Sequence, residues 1–235
     1  NLHNSPHSAN SEMKKISGKW NGILEGVDLW GVNDLAHMVL GGLEPQVLAG
    51  NFIGDVVKGR QWKTLPERVG QGVLVHRQID SKADAHPGSL ASRALLRPIF
   101  GRMSGVALDM LHDHLLAREF DKWVHHDGGL SGFADEALGI LEGQTHHIPP
   151  RRQRFLEALR RYDWLTGYAD PRVMREVCAA MDARIPWPTE LVRLMDEWGR
   201  WESDLVCLFE EMFTDLMQDF TAQPPPCLPL RTWQR

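Results

Sequence analysis

From Pro45 onward, apolar residues recur three and four positions apart and sustained alternation is absent, a pattern that predicts helices through the body of the chain. Residues 46–57 set Val47, Phe52, Ile53, Val56 and Val57 on one broad face, with Gly59 as a stop. Pro66 opens a helix running to about Ala83, and His86-Pro87 ends it, because a proline disfavours helix at the residue before it. Further helices are predicted over 89–96, 105–123, 131–141, 151–162, 171–182 and 188–220. The segments differ in length and none repeats another, so the expected architecture is an irregular all-α, single-domain bundle and not a solenoid.

The ends read differently. Residues 1–12 are polar and turn-rich, and 13–31 scatter Gly18, Gly22, Gly26 and Gly31 among Trp20, Ile23, Leu24, Leu29 and Trp30, too much glycine for a helix. Residues 1–31 are therefore expected to form a flexible or rearranged segment, 32–222 the domain, and 223–235, with Pro224-Pro225-Pro226 and Pro229, a proline-rich tail.

Composition narrows the class of function. At 235 residues, 43% hydrophobic and 24% charged, the chain can bury one sizeable core. No apolar run approaches the roughly 20 residues of a spanning helix and no signal-like segment opens the chain, so a cytoplasmic protein that does not enter the membrane is expected. A net charge of -5 argues against generic nucleic-acid binding, which needs a basic surface. Cys178, Cys207 and Cys227 are odd in number and widely spaced, which fits neither a disulfide framework nor a thiolate metal knuckle.

Four short segments concentrate histidine and aspartate inside apolar surroundings: Asp34 to His37, Gly50 to Asp55, His76 to Asp80, and Asp109 to His114. His76 and Asp80 stand four apart, as do Asp109 and Asp113, so each pair projects from one helical face about one turn apart and can clasp an ion. One such pair alone is more often a surface ion pair or a cap. Asp55, however, lies between Phe52-Ile53 and Val56-Val57, and Asp113-His114 between Leu111 and Leu115-Leu116, where a charge is costly unless an ion or a partner satisfies it. Imidazole with carboxylate suits a borderline or hard divalent cation: manganese first, magnesium or iron as alternatives. Such a cation polarises a phosphoryl oxygen and activates water, and Arg77 could hold phosphate charge. The doublets His125-His126 and His146-His147 read as solvated loop histidines, and Trp187, Trp198 and Trp201 as core.

At these residues the sequence resembles the acyl carrier protein phosphodiesterases, a divergent branch of the HD metal-dependent phosphohydrolases. Four ordered blocks carry the resemblance. Val32-Asn33-Asp34-Leu35-Ala36-His37 answers to the family's Met-Asn-aromatic-Leu-Ala-His, with Val32 and Asp34 at the methionine and aromatic positions. The others run from Leu48 to Gly59, from Gly72 to Asp80 with Asp84-Ala85-His86-Pro87, and from Gly105 to Ala117.

The resemblance implies an HD-like all-α fold, a divalent metal usually taken as manganese, and hydrolysis of the phosphodiester joining phosphopantetheine to a carrier-protein serine. Asp55, His76, Asp113 and His114 are the candidate ligands, although neighbours on a helix diverge by about 100°, so Asp113 and His114 need not reach one ion. Asp80 and Asp109 are expected as further ligands or supporting carboxylates, and His37 as an acid or ligand. Docking of an acidic carrier protein is expected at Arg151, Arg152 and Arg154, near Arg160-Arg161. Two rival functions remain open: an HD-type hydrolase of a nucleotide or other small phosphoester, and a non-catalytic helical interaction protein.

Overall fold

The computed structural model describes residues 33–187 and 189–222, so the expectations for 1–31 and 223–235 lie outside the described residues. Every regular element among them is helical, as the three-and-four spacing predicts. In chain order the helices are α1 (Asp34–Gly41), α2 (Pro45–Phe52), α3 (Glu67–Ala85), α4 (Pro87–Phe100), α5 (Ser104–Arg118), the single turn α6 (Phe120–Trp123), α7 (Gly129–Gly143) and α8 (Pro150–Arg161). They continue with the single turn α9 (Trp164–Gly167), then α10 (Pro171–Arg184), the single turn α11 (Arg193–Asp196) and α12 (Glu202–Ala222).

Local chemistry sets several boundaries. Glu44 caps α2 by accepting the Val47 N–H at 2.7 Å, with Pro45 in the first turn where its missing N–H costs nothing. His86 ends α3 in an extended conformation and its Nδ1 accepts the Gly88 N–H at 3.0 Å, starting α4 at Pro87. α4 is longer than predicted, continuing through Pro98 to Phe100. Helix α2 is shorter than predicted, because residues 53–57 turn out of it and carry Asp55 on the bend.

Two long helices expected from the sequence are broken. The 105–123 segment divides at Glu119, which leaves helical geometry at φ -114°. The 188–220 segment is not one helix: Asp182 accepts the Leu191 and Val192 N–H groups, each at 2.9 Å, and folds the chain into a turn in which Glu190 has φ 54°. Only from Glu202 does α12 run uninterrupted. Trp201 is core as expected, but Trp187 is exposed, with the Arg102 guanidinium 4.1 Å from its ring centre.

One apolar core runs through the bundle, including Leu35, Leu48, Val73, Leu111, Phe133, Phe155, Trp164 and Phe213. α2 and α3 cross within it at backbone contact. A Cβ on Gly50 would stand 2.0 Å from the Val69 carbonyl oxygen, and one on Gly72 2.1 Å from that of Val47, so only glycine permits the approach. Charged pairs lock the ends: Lys82 and His86 reach Asp219 and Asp215 on α12, and Arg118 reaches Glu202 at 2.8 Å. Among the described residues, no helix is long and apolar enough to cross a membrane.

Candidate metal centre

The crossing of α2 and α3 brings α1, the bend after α2, and the middle of α3 to one place. His37 on α1 and His76 on α3 lie with ring centres 4.1 Å apart and planes 21° from parallel. Both direct Nε2 at Asp80, His37 reaching Oδ1 at 3.1 Å and His76 reaching Oδ2 at 3.2 Å. Asp55 joins from the bend, its Oδ1 3.3 Å from His76 Nε2. The imidazoles are buried, whereas the Asp55 and Asp80 side chains are each 41% exposed, so solvent meets the cluster on its carboxylate side.

The hydrogen bonds fix the His37 tautomer. Asn51 Nδ2 donates to the His37 carbonyl at 2.7 Å, which leaves Asn51 Oδ1 facing His37 Nδ1 at 3.2 Å. An amide oxygen only accepts, so Nδ1 carries the proton and the Nε2 lone pair of a neutral His37 points at a carboxylate. Lone pair against carboxylate is repulsive unless a proton or a cation stands between. Protonating both rings would set two like charges face to face, whereas one cation between them can satisfy both nitrogens and the Asp80 carboxylate together. The donor set of imidazole and carboxylate, without thiolate, suits a borderline or hard metal ion. His37, His76 and Asp80 present ligand atoms within 4.8 Å of one another, which meets the geometric requirement.

Without a cation, the electrostatics are strongly coupled. Burial would lower His76, but the hydrogen bonds and charges of Asp55 and Asp80 overcome it and raise its pKa to about 9. Burial would raise Asp80, but His37 and His76 outweigh it and hold the carboxyl well below the ordinary range. Asp55 is lowered likewise, burial being outweighed by His76. Gly54 fits this packing closely: a Cβ there would lie 2.2 Å from His76 Cγ and 2.4 Å from Cδ2.

The other sequence candidates lie elsewhere. Asp113 is fully buried and spends both oxygens on the first turn of α1, accepting the Leu35 N–H at 3.0 Å and the Ala36 N–H at 2.9 Å. His114 points away from it, its Nδ1 2.7 Å from the Tyr168 carbonyl oxygen and its ring edge-on to Trp198. Neither joins the histidine cluster: backbone groups meet both Asp113 oxygens and His114 Nδ1, while His114 Nε2 is buried without a hydrogen bond. Asp109, one turn before Asp113 on α5, is half-buried, and burial pushes its pKa up to about 7, with Arg93 opposing and Asp84, Asp80 and Asp55 adding. Arg77 is turned to the loop after α2, donating to the carbonyls of Gly59 and Val57 at 2.8 Å each.

Arg152 overturns its expected place in a surface patch. It is 2% exposed, paired with Asp34 at 2.5 Å, and stacked against Phe52 and Phe155 at 3.9 and 4.7 Å. Arg151 and Arg154 on the same helix are exposed, and Arg160 pairs with Asp135 and Glu142 on α7. Asn51, Gly54 and Asp34 were not singled out in the sequence as functional groups. The signal for Asn51 was its place between Gly50 and Phe52 on a helix whose apolar face is buried, where a carboxamide needs partners.

These features define a class: an all-α protein with a buried imidazole–carboxylate cluster suited to a divalent cation and open to solvent at its carboxylates. The model of the acyl carrier protein phosphodiesterase family matches residues 32–216, and the chain belongs to that family. It is similar to the acyl carrier protein phosphodiesterase of Photorhabdus laumondii subsp. laumondii, 28% identical over 84% of this chain and 100% of that protein. The proteins of the same name from Pectobacterium atrosepticum and Yersinia pestis are 29% and 31% identical, covering 80% and 66% of this chain and 96% and 80% of their own lengths. No solved structure matches the chain.

Proposed function

We propose that this protein hydrolyses the phosphodiester between phosphopantetheine and the serine of holo acyl carrier protein, using a divalent cation held by His37, His76, Asp80 and Asp55. Family membership supports the substrate, and the convergence of two imidazole Nε2 atoms on one carboxylate carries the metal reading. Manganese is the first choice, magnesium and iron the alternatives, and the arrangement is read as HD-like in chemistry. Bound there, the cation supplies Lewis acidity toward the phosphoryl group and activation of water.

The chain's own groups do the remainder. Asn51 orients His37 and holds its proton on Nδ1. Asp109, whose carboxyl is pushed up to about 7 by burial, is read as a supporting carboxylate on α5. Arg77 fixes the loop beside Asp55 instead of meeting phosphate. Water oxygen ends on the phosphorus of phosphopantetheine, the bond from phosphorus to the serine oxygen breaks, and the serine hydroxyl regains a proton. Asp113 and His114 are read as supports, which leaves them out of the ligand set.

The test is intact mass spectrometry of holo carrier protein incubated with enzyme and manganese. Apo carrier protein with free phosphopantetheine is expected, and chelator abolishes the conversion. Nucleotide turnover with an unchanged carrier protein would instead favour the small-phosphoester reading. An absence of both hydrolysis and stoichiometric metal would favour a helical interaction protein.

A further inference from the structure

Arg152 and Asp34 form a buried pair 118 residues apart in sequence, and the cation-binding chemistry does not use either. Burying such a pair is seldom favourable compared with apolar side chains of similar volume, so its presence calls for a second role. Its position supplies one. Asp34 opens α1 three residues before His37, and Phe52, under the guanidinium, lies three residues before Asp55. Arg152 arrives from α8 and is held flat between Phe52 and Phe155, so a single planar cation touches the segments that carry two of the four site residues. Neither partner is saturated: Asp34 Oδ2 and Arg152 Nε are both buried without a hydrogen bond. A pair retained for stability alone would be expected to satisfy these atoms.

We propose that Asp34 and Arg152 are positioning residues, a brace that sets the spacing of the His37-bearing and Asp55-bearing segments and thereby the cation affinity of the cluster. This rests on the reading of that cluster as a metal site. The brace acts through geometry, and its two partners carry opposite formal charges.

The experiment replaces both partners, Asp34→Val with Arg152→Met, which leaves net charge unchanged and puts apolar groups into an apolar pocket. Removing one partner alone would strand a buried charge and confuse unfolding with mispositioning. Manganese affinity of the metal-free protein is measured by titration calorimetry, alongside thermal melting and hydrolysis of holo carrier protein at saturating manganese. The expected result is a melting temperature at or above that of the wild type, with manganese affinity at least about tenfold weaker, consistent with the loss from small misplacements of a preorganised site. Excess manganese should recover part of the turnover, a response that a merely structural pair would not produce. A double variant that melts like wild type and binds manganese equally well overturns the proposal, as does one that unfolds, because the pair would then serve stability. A wild-type protein that takes up no manganese refutes the metal reading, and this proposal with it, so the two failures are told apart by which protein fails to bind.

Discussion

Replacing Gly54 by alanine tests the centre without altering any group that touches the cation. The backbone at Gly54 is not in the left-handed region, so alanine meets no conformational penalty there and the effect comes from space alone. The new methyl carbon would sit 2.2, 2.4 and 2.6 Å from His76 Cγ, Cδ2 and Cβ. Carbon atoms rest near ~3.5 to 4 Å, so the imidazole or the bend must give way by more than about 1 Å. His76 Nε2 now stands 3.2 Å from Asp80 and 3.3 Å from Asp55, and a shift of that size removes it from one or both. Overpacking of this kind costs about 1–3 kcal/mol of stability, and a misplacement of about 1 Å near reacting groups lowers turnover on the order of a hundredfold. Thermal melting by circular dichroism, manganese calorimetry and intact-mass turnover read the three consequences. Retention of wild-type turnover and metal affinity by Gly54→Ala would refute the claim that His76 is held at a working position by this contact.

Three further outcomes are expected. Because His76 is raised to about 9, above its ordinary 6.5, its stabilisation of the metal-free protein is complete below about pH 6.5 and is lost as pH rises through about 9; metal uptake displaces that proton, so manganese affinity should climb about tenfold per pH unit from about pH 6 to about pH 8, and a flat profile would exclude His76 as a ligand. Asp113→Ala strands the Leu35 and Ala36 N–H groups at the start of α1 and should cost about 1–3 kcal/mol, or about 2–4 °C of melting temperature per kcal/mol, while metal stoichiometry, measured by elemental analysis, stays at the wild-type value; lost stoichiometry in a folded variant would return Asp113 to the ligand set. Arg151→Ala with Arg154→Ala, sparing buried Arg152, should raise KM for intact carrier protein several-fold with little change on a small phosphodiester, and added salt should mimic it; equal loss on both substrates would place the effect in catalysis.

What the sequence made legible follows from the range of each interaction. The pairing of His76 with Asp80 depends only on helical spacing, and both sit on one face of α3 as expected. The meeting of His37, Asn51 and Asp55 with that pair depends on how α1 and α2 cross α3, which no periodicity states. Asp113 and His114 were rightly marked as buried polar groups in need of partners, but those partners are the α1 amides and the Tyr168 carbonyl, and backbone has no sequence signature. Arg152 illustrates the opposite case. Its basic neighbours read as a surface patch, although 152, 155, 156 and 159 share one helical face with Phe155, Leu156 and Leu159, so the period already pointed it inward. The 188–220 helix starts late because Asp182, outside the segment, captures the Leu191 and Val192 amides, and it breaks again where Glu197 and Trp201 leave helical geometry.

The glycine crossing of α2 over α3 has a mechanical consequence for how this protein can change. Where Gly50 meets Val69 and Gly72 meets Val47, no side chain lies between the two backbones. A substitution among the surrounding core residues can swell or shrink its own pocket, yet it finds nothing compressible at that joint through which to slide one helix along the other. Asp55, three residues beyond α2, and His76, one turn after Gly72, therefore share a rigid origin of coordinates. The core around them can be redesigned for thermal resistance while their separation is preserved, whereas a side chain at either glycine wedges the two helices apart and Asp55 away from His76.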